Sequence, residues 1–152
     1  EILNQEKKYN FKEMIGLINK IDSKTFFGES TAYKASVSSG RFNTSDDYKV
    51  VRNISRLYEH FFVRLDLNGN MLDKIVINFS DDFSSNFNKA RFNQTNIDTL
   101  QLKNYFFSND FHNALLNVYD MQNNYYLKRL SETRNQLIAI KDLLNNQQQI
   151  LK

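Results

Sequence analysis

No proline stands in this chain to break a helix: its 152 residues include none, and only four glycines, where average usage would supply about 7 or 8 prolines. Proline removes an amide donor and clashes with the preceding turn, so a chain without it is free to build long helices. The apolar residues use that freedom. Val51, Ile54, Tyr58, Phe61, Leu65, Asn68, Leu72, Ile75 and Phe79 recur by alternate steps of three and four, the seam of a coiled-coil-like helix. A second seam keeps the same alternation through Leu116, Tyr119, Asn123, Tyr126, Leu130, Thr133, Leu137, Ile140 and Leu144.

Shorter elements surround the two seams. Phe11, Met14, Ile15, Ile18 and Ile21 lie at helical spacing and predict an amphipathic N-terminal helix. "STAYKASVSSG" predicts a short helix capped at Ser30 and stopped by Gly40. Thr44 followed by Asp47 resembles a capping box at the start of the first long helix. Ser108 or Asn109 is suited to cap the second, "LQLKNYFF" predicts a helical turn before it, and the polar "NKARFNQTNIDT" is the main connecting loop. A helix from Asp46 to Phe83 would be about 57 Å long and cannot bury its seam alone. The expected fold is therefore all-α: one domain over residues 1–152, an elongated antiparallel bundle of two long helices, one N-terminal helix and short connecting helices.

One stretch, "DLNGNMLD" from Asp66 to Asp73, interrupts the first seam with an Asn-Gly pair among carboxylates. As a calcium loop it lacks the glycine at the sixth place, and its twelfth place is Ile77 rather than a bidentate Glu. As a hairpin it would pair Leu65 with Leu72 but oppose Val63 to Lys74 and Leu67 to Asn70, so neither strand keeps an apolar face. Residues 61–79 thus read as a kinked helix, with the hairpin as the rival. On the helical reading Asn68 faces Asn123 as a polar register pin, hydrogen-bonded directly or through water, Ile54 meets Leu137, and Phe79 comes near His112.

Chemistry is sparse. Without cysteine there is no thiol nucleophile and no zinc–thiolate site. His60 and His112 have no second histidine at ligand spacing, and no glycine-flanked serine elbow or phosphate-cradling loop occurs. Neither catalysis, a cofactor nor a metal is expected. The pairs Asp46–Asp47 and Asp81–Asp82 are adjacent and so do not face each other on a helix. Four N-x-[ST] sequons, at Asn43, Asn53, Asn78 and Asn93, match what the abundance of asparagine produces by chance.

Binding is the better expectation. Arg52 and Arg56 share a helix face near Tyr48 and Glu59 and are placed to hold an anionic ligand or a partner's carboxylate, with Tyr33 as a further candidate. Phe26, Phe27 and Phe92 lie off the seams and suit a partner-binding end of the bundle. A pI near 9.0 and Arg52, Arg56, Arg129 and Arg134 allow a cytoplasmic nucleic-acid-binding module as the alternative. Against it, the 20 basic and 17 acidic residues are interleaved rather than blocked.

The run from "STAYKASVSSG" through "VVRNISRLYEHFF", with "FFSNDFHNALLNVYDMQNNYY" later, resembles a family of uncharacterised bacterial proteins through Tyr33, Ser39, Gly40, Leu57, Tyr58, Glu59, Asn109 and Phe111. The resemblance implies one membrane span near the N-terminus followed by an all-helical domain on the extracytoplasmic, periplasmic side. It implies no reaction. Opening on Glu1 rather than methionine, the chain reads as an excised domain with its anchor expected upstream. The expectation is a non-enzymatic, membrane-tethered sensory or protein-interaction domain, with a protein partner or a second copy as occupant and a small-molecule ligand as a further option.

Overall fold

The computed structural model describes residues 11–44, 47–86 and 99–150, and every regular element among them is helical. In order they are α1 (Phe11–Ile18), α2 (Thr31–Ser38), a 3₁₀ turn (Arg41–Thr44), α3 (Tyr48–Arg56), a first π turn (Leu57–Phe61), α4 (Phe62–Asn86), α5 (Thr99–Phe106), α6 (Asn109–Asp120), a second π turn (Met121–Tyr126) and α7 (Leu127–Ile150). The two long helices of the sequence reading are the continuous runs 48–86 and 109–150. The chain divides into two compact units, Glu1–Lys24 with Lys74–Val118 and Thr25–Asp73 with Tyr119–Lys152.

Local chemistry sets the ends of the helices. Asp47 caps α3, its Oδ1 accepting from the amides of Lys49 at 2.8 Å and Val50 at 3.0 Å. The cap expected at Thr44 is therefore one turn late, because Thr44 closes the 3₁₀ turn instead. Ser108 caps α6 as expected, its Oγ accepting from the Phe111 amide at 3.1 Å. Gly40 ends α2 with a φ of 75°, the left-handed conformation of a helix-terminating residue. Ser30 precedes α2 without a side-chain cap, and Glu29 takes over by accepting from the Thr31 amide at 2.8 Å. Of the "NKARFNQTNIDT" loop, residues 88–98, with Phe92 and Asn93, lie outside the described residues, and its last residue, Thr99, opens α5.

Both long runs slip out of phase with their expected seams. In the first, the buried residues Val50 and Leu57 are seven apart, as are Leu65, Leu72 and Phe79, but Leu57 to Leu65 is eight. In the second, Phe111 and Val118 are seven apart, as are Tyr126, Thr133 and Ile140, but Val118 to Tyr126 is eight. Each eight-residue step spans a π turn, where Phe62 N–H reaches Leu57 O and Leu127 N–H reaches Gln122 O. A π turn inserts one residue into a helix and rotates everything beyond it. Hence Leu116 and Tyr119, expected inside, are exposed. Beyond the turn Tyr126, Thr133 and Ile140 keep the expected phase, but Gln136 takes the buried place between Thr133 and Ile140, leaving Leu137 exposed, and Leu144 is exposed too.

The same shift corrects the register pin. Asn123 is exposed and donates to the Tyr119 carbonyl at 2.8 Å, so it makes no seam contact with the half-buried Asn68. A polar pin exists one position from the expected Ile54–Leu137 pair: Gln136 Nε2 donates to both the carbonyl and Oδ1 of Asn53, each at 3.0 Å. Gln136 is only 9% exposed, so these bonds replace the water that its amide would otherwise lose.

In the unit containing Lys74–Val118, Phe83, Phe106 and Phe111 are essentially inaccessible. Their ring centroids lie 5.0–6.4 Å apart where they meet, in tilted and edge-on geometries. Tyr105 joins them and donates to Asp82 Oδ2 at 2.7 Å, while Gln101 ties the end of α4 by donating to the Asn86 carbonyl. Burial, and then the Asp82 hydrogen bond and charge, push the Tyr105 hydroxyl far above its ordinary pKa.

Candidate functional site

The Asn-Gly stretch is neither a hairpin nor a turn: Asp66 to Asp73 lies wholly within the unbroken α4. Gly69 is buried there, and a Cβ on it would stand 3.4 Å from Cβ and Cγ2 of Thr25 and 3.6 Å from Cε2 of Tyr126. The glycine makes a shallow notch in the helix, and Thr25, at the start of the irregular segment 25–30, lies against it. Thr25 Oγ1 donates to Asp73 Oδ2 at 3.3 Å, and the Phe26 amide donates to the Tyr126 hydroxyl at 2.7 Å. Those bonds hold a segment that has no helix of its own to satisfy its backbone.

Beyond the notch the segment crosses Phe62. Gly28 is so close that an added Cβ would be 2.7 Å from Phe62 Cδ2, and Phe26 packs on the same ring at 5.9 Å. Phe62 meets Tyr58 edge-on at 5.2 Å, and Tyr58 stacks on Tyr33 of α2 at 4.4 Å with planes only 4° apart. Phe42 closes the far edge of Tyr33 at 5.2 Å. The Tyr33 hydroxyl donates to Glu59 Oε1. Burial, together with that hydrogen bond to a carboxylate that accepts only from the protonated phenol, raises the Tyr33 pKa, although a bond with Ser55 acts the other way.

These rings wall an open groove of about 510 Å³, lined by Phe27, Gly28, Ser30, Tyr33, Lys34, Tyr58, Glu59, Phe62, Val63 and Asp66. The groove sits on the first π turn: Leu57, at its start, is buried, and Tyr58 and Glu59, next along it, line the groove. Local π turns inside α-helices concentrate at functional sites, because they hold side chains in positions a regular helix does not offer.

Of Arg52, Arg56, Tyr48 and Tyr33, expected to hold a ligand or a partner's carboxylate, only Tyr33 lines this groove. Arg56 lies over the Phe61 ring, 5.4 Å from its centroid. Tyr48 is 73% exposed, and neither it nor Arg52 is among the lining residues. Phe27, singled out as an aromatic off the seams, does line it, and is 67% exposed. Tyr33, Tyr58 and Glu59, three residues behind the family resemblance, meet here. Phe62, Lys34 and Asp66 escaped the sequence reading; the eight-residue gap from Leu57 to Leu65 was the signal that would have exposed the helix's change of phase. Among the described residues no group of three or more His, Asp or Glu side chains is placed to hold a metal ion.

No curated protein and no solved structure matches this chain. A family model does, over residues 2–119, a span that contains every residue lining the groove but stops short of Tyr126 and α7. The chain belongs to that family, the family of unknown function DUF6090.

Proposed function

We propose that this is a non-enzymatic, membrane-tethered helical domain that works by engaging another protein at the groove between α2 and the first π turn. The observation that carries the reading is the groove itself: a set of aromatic rings left partly open to solvent, with Phe27 at its edge. Aromatic side chains give large contact area at low entropic cost, which is why they are enriched where proteins bind one another. The apolar surface continues along α4 through Val63, Leu67 and Met71, all exposed and spaced by four on one helix face.

The tether and its extracytoplasmic address rest on the family resemblance. No helix among the described residues is long and apolar enough to cross a membrane, so the anchor of this reading lies outside them. The nucleic-acid alternative draws less support, since Arg129 is paired with Glu132 at 2.6 Å and Arg56 is held over Phe61. Self-association has one specific observation in its favour: Leu137 and Leu144 of α7, seven apart, are both exposed.

The test is a photo-crosslinking amino acid placed at Phe27 in the full-length protein, expressed in its native host. A discrete adduct from position 27 in the membrane fraction, absent from the same group at Lys128, is expected. A protein that carbonate releases entirely from membranes sinks the tether, and position 27 reacting no differently from position 128 sinks the binding site.

A further inference from the structure

We infer that the groove holds a cationic side chain, the lysine or arginine of a partner protein, between its aromatic walls and the carboxylates of Glu59 and Asp66. The inference rests on the protein-binding reading and names the chemistry of the partner. Four of the lining residues are aromatic, and ring faces carry the negative lobe of a quadrupole that attracts ammonium and guanidinium groups. Both acids are on the same wall-forming helical run. Glu59 gives Oε1 to the Tyr33 hydroxyl, and a carboxylate with about four acceptor sites keeps the rest for a second donor.

Lys34 is the one cation in the lining, set against the two carboxylates of Glu59 and Asp66. Two negative charges against one positive leave the groove negative, although the whole chain carries a formal charge of +3. An anion would meet two carboxylates against the single Lys34 ammonium. A neutral apolar group would remove water from Glu59 and Asp66 without replacing its hydrogen bonds. A cation satisfies both surfaces at once. The exposed row of Val63, Leu67 and Met71 beyond the groove decides between sources: a free amine leaves it bare, whereas a basic residue on a partner chain arrives with apolar neighbours to cover it.

The experiment is an NMR titration of the 152-residue chain with N-acetyl-lysine methylamide, its arginine analogue, and the norleucine analogue, which differs from lysine by the ammonium alone. Lysine or arginine is expected to shift the amides of Gly28, Ser30, Glu59 and Val63, with an affinity about fivefold above that of norleucine. Added salt should weaken the binding. Glu59→Gln, which keeps an acceptor for Tyr33, should weaken it severalfold while leaving the rest of the spectrum in place, and Lys34→Ala should tighten it. Equal affinity for norleucine, no shift at these amides, or an unaffected E59Q overturns the inference. An adduct from position 27 without a cation response would leave the binding reading standing and remove this one. A cation response without an adduct would overturn the partner chain as its source.

Discussion

Replacing Gly28 by alanine is the sharpest perturbation of the groove's frame. The added Cβ would stand 2.7, 2.8 and 3.0 Å from Cδ2, Cγ and Cε2 of Phe62, roughly 1 Å inside the optimum of about 3.5–4.0 Å for carbon contacts. The ring cannot retreat freely, because Phe26 and Tyr58 both pack on it and Tyr58 is stacked on Tyr33. Overfilling a packed site costs about 1–3 kcal/mol, and alanine returns about 0.4–1 kcal/mol by narrowing the unfolded ensemble. The net expectation is a loss of up to about 2.6 kcal/mol, centred on about 1.3, and at that centre a fall in Tm of about 3–5 °C for a chain of this size. Urea denaturation followed by circular dichroism measures it. The decisive comparison repeats Gly28→Ala in a Phe62→Leu background, where the ring is gone and the substitution should be neutral or slightly stabilising. Equal costs in the two backgrounds would refute the argument from contact with Phe62.

Three further outcomes follow from geometry already described. Gly69→Ala, whose Cβ meets Thr25 at an ordinary 3.4 Å, should stabilise the chain by up to about 1 kcal/mol through helix propensity; Gly69→Leu should instead expel Thr25 and the segment 25–30 that follows it, and speed hydrogen exchange at the Phe26 amide. Asp47→Ala, which leaves the Lys49 and Val50 amides without their acceptor, should cost about 0.5–2 kcal/mol by urea denaturation, whereas Thr44→Ala should cost less. Because the folded state raises the Tyr105 pKa above its ordinary 10.0, its contribution is complete below pH 10.0 and is lost as pH rises toward the folded value; Tyr105→Phe should flatten that alkaline decline in a pH series of unfolding curves.

Periodicity made the helical class, the two long runs and many of their anchors legible. Leu65, Leu72, Phe79, Tyr126, Thr133 and Ile140 are all buried where the seams place them. Stops and caps written in local chemistry, such as Gly40 and Ser108, were legible for the same reason: each acts within a few residues of itself. The phase of the helices was harder to read, because a single inserted residue carries no compositional mark and shows only as an eight-residue step, Leu57 to Leu65, that the alternation of three and four conceals. Its counterpart in the second run turned Asn123 out to solvent and left the polar pairing of the seam to Asn53 and Gln136. Gly69 shows the other limit. Its low helix propensity suggested a kink, but its use as a notch depends on Thr25 and Tyr126, which lie far away in sequence. The groove combines both difficulties, since Tyr58 and Glu59 reach it through a change of phase and Phe27 and Gly28 through an irregular segment with no pattern to read.

A π turn also marks how near each long helix stands to a simpler one. Deleting a single residue from Leu57–Phe61 would restore an uninterrupted heptad from Val50 to Phe79, a smoother and intrinsically better helix. The same deletion would swing the residues on one side of it by about 100° relative to the other, pulling Tyr58 off Tyr33 and Glu59 out of reach of its hydroxyl. The shortened chain would keep a seam and lose the groove, so one extra residue separates a helix that only packs from one that also carries an open cleft on its flank.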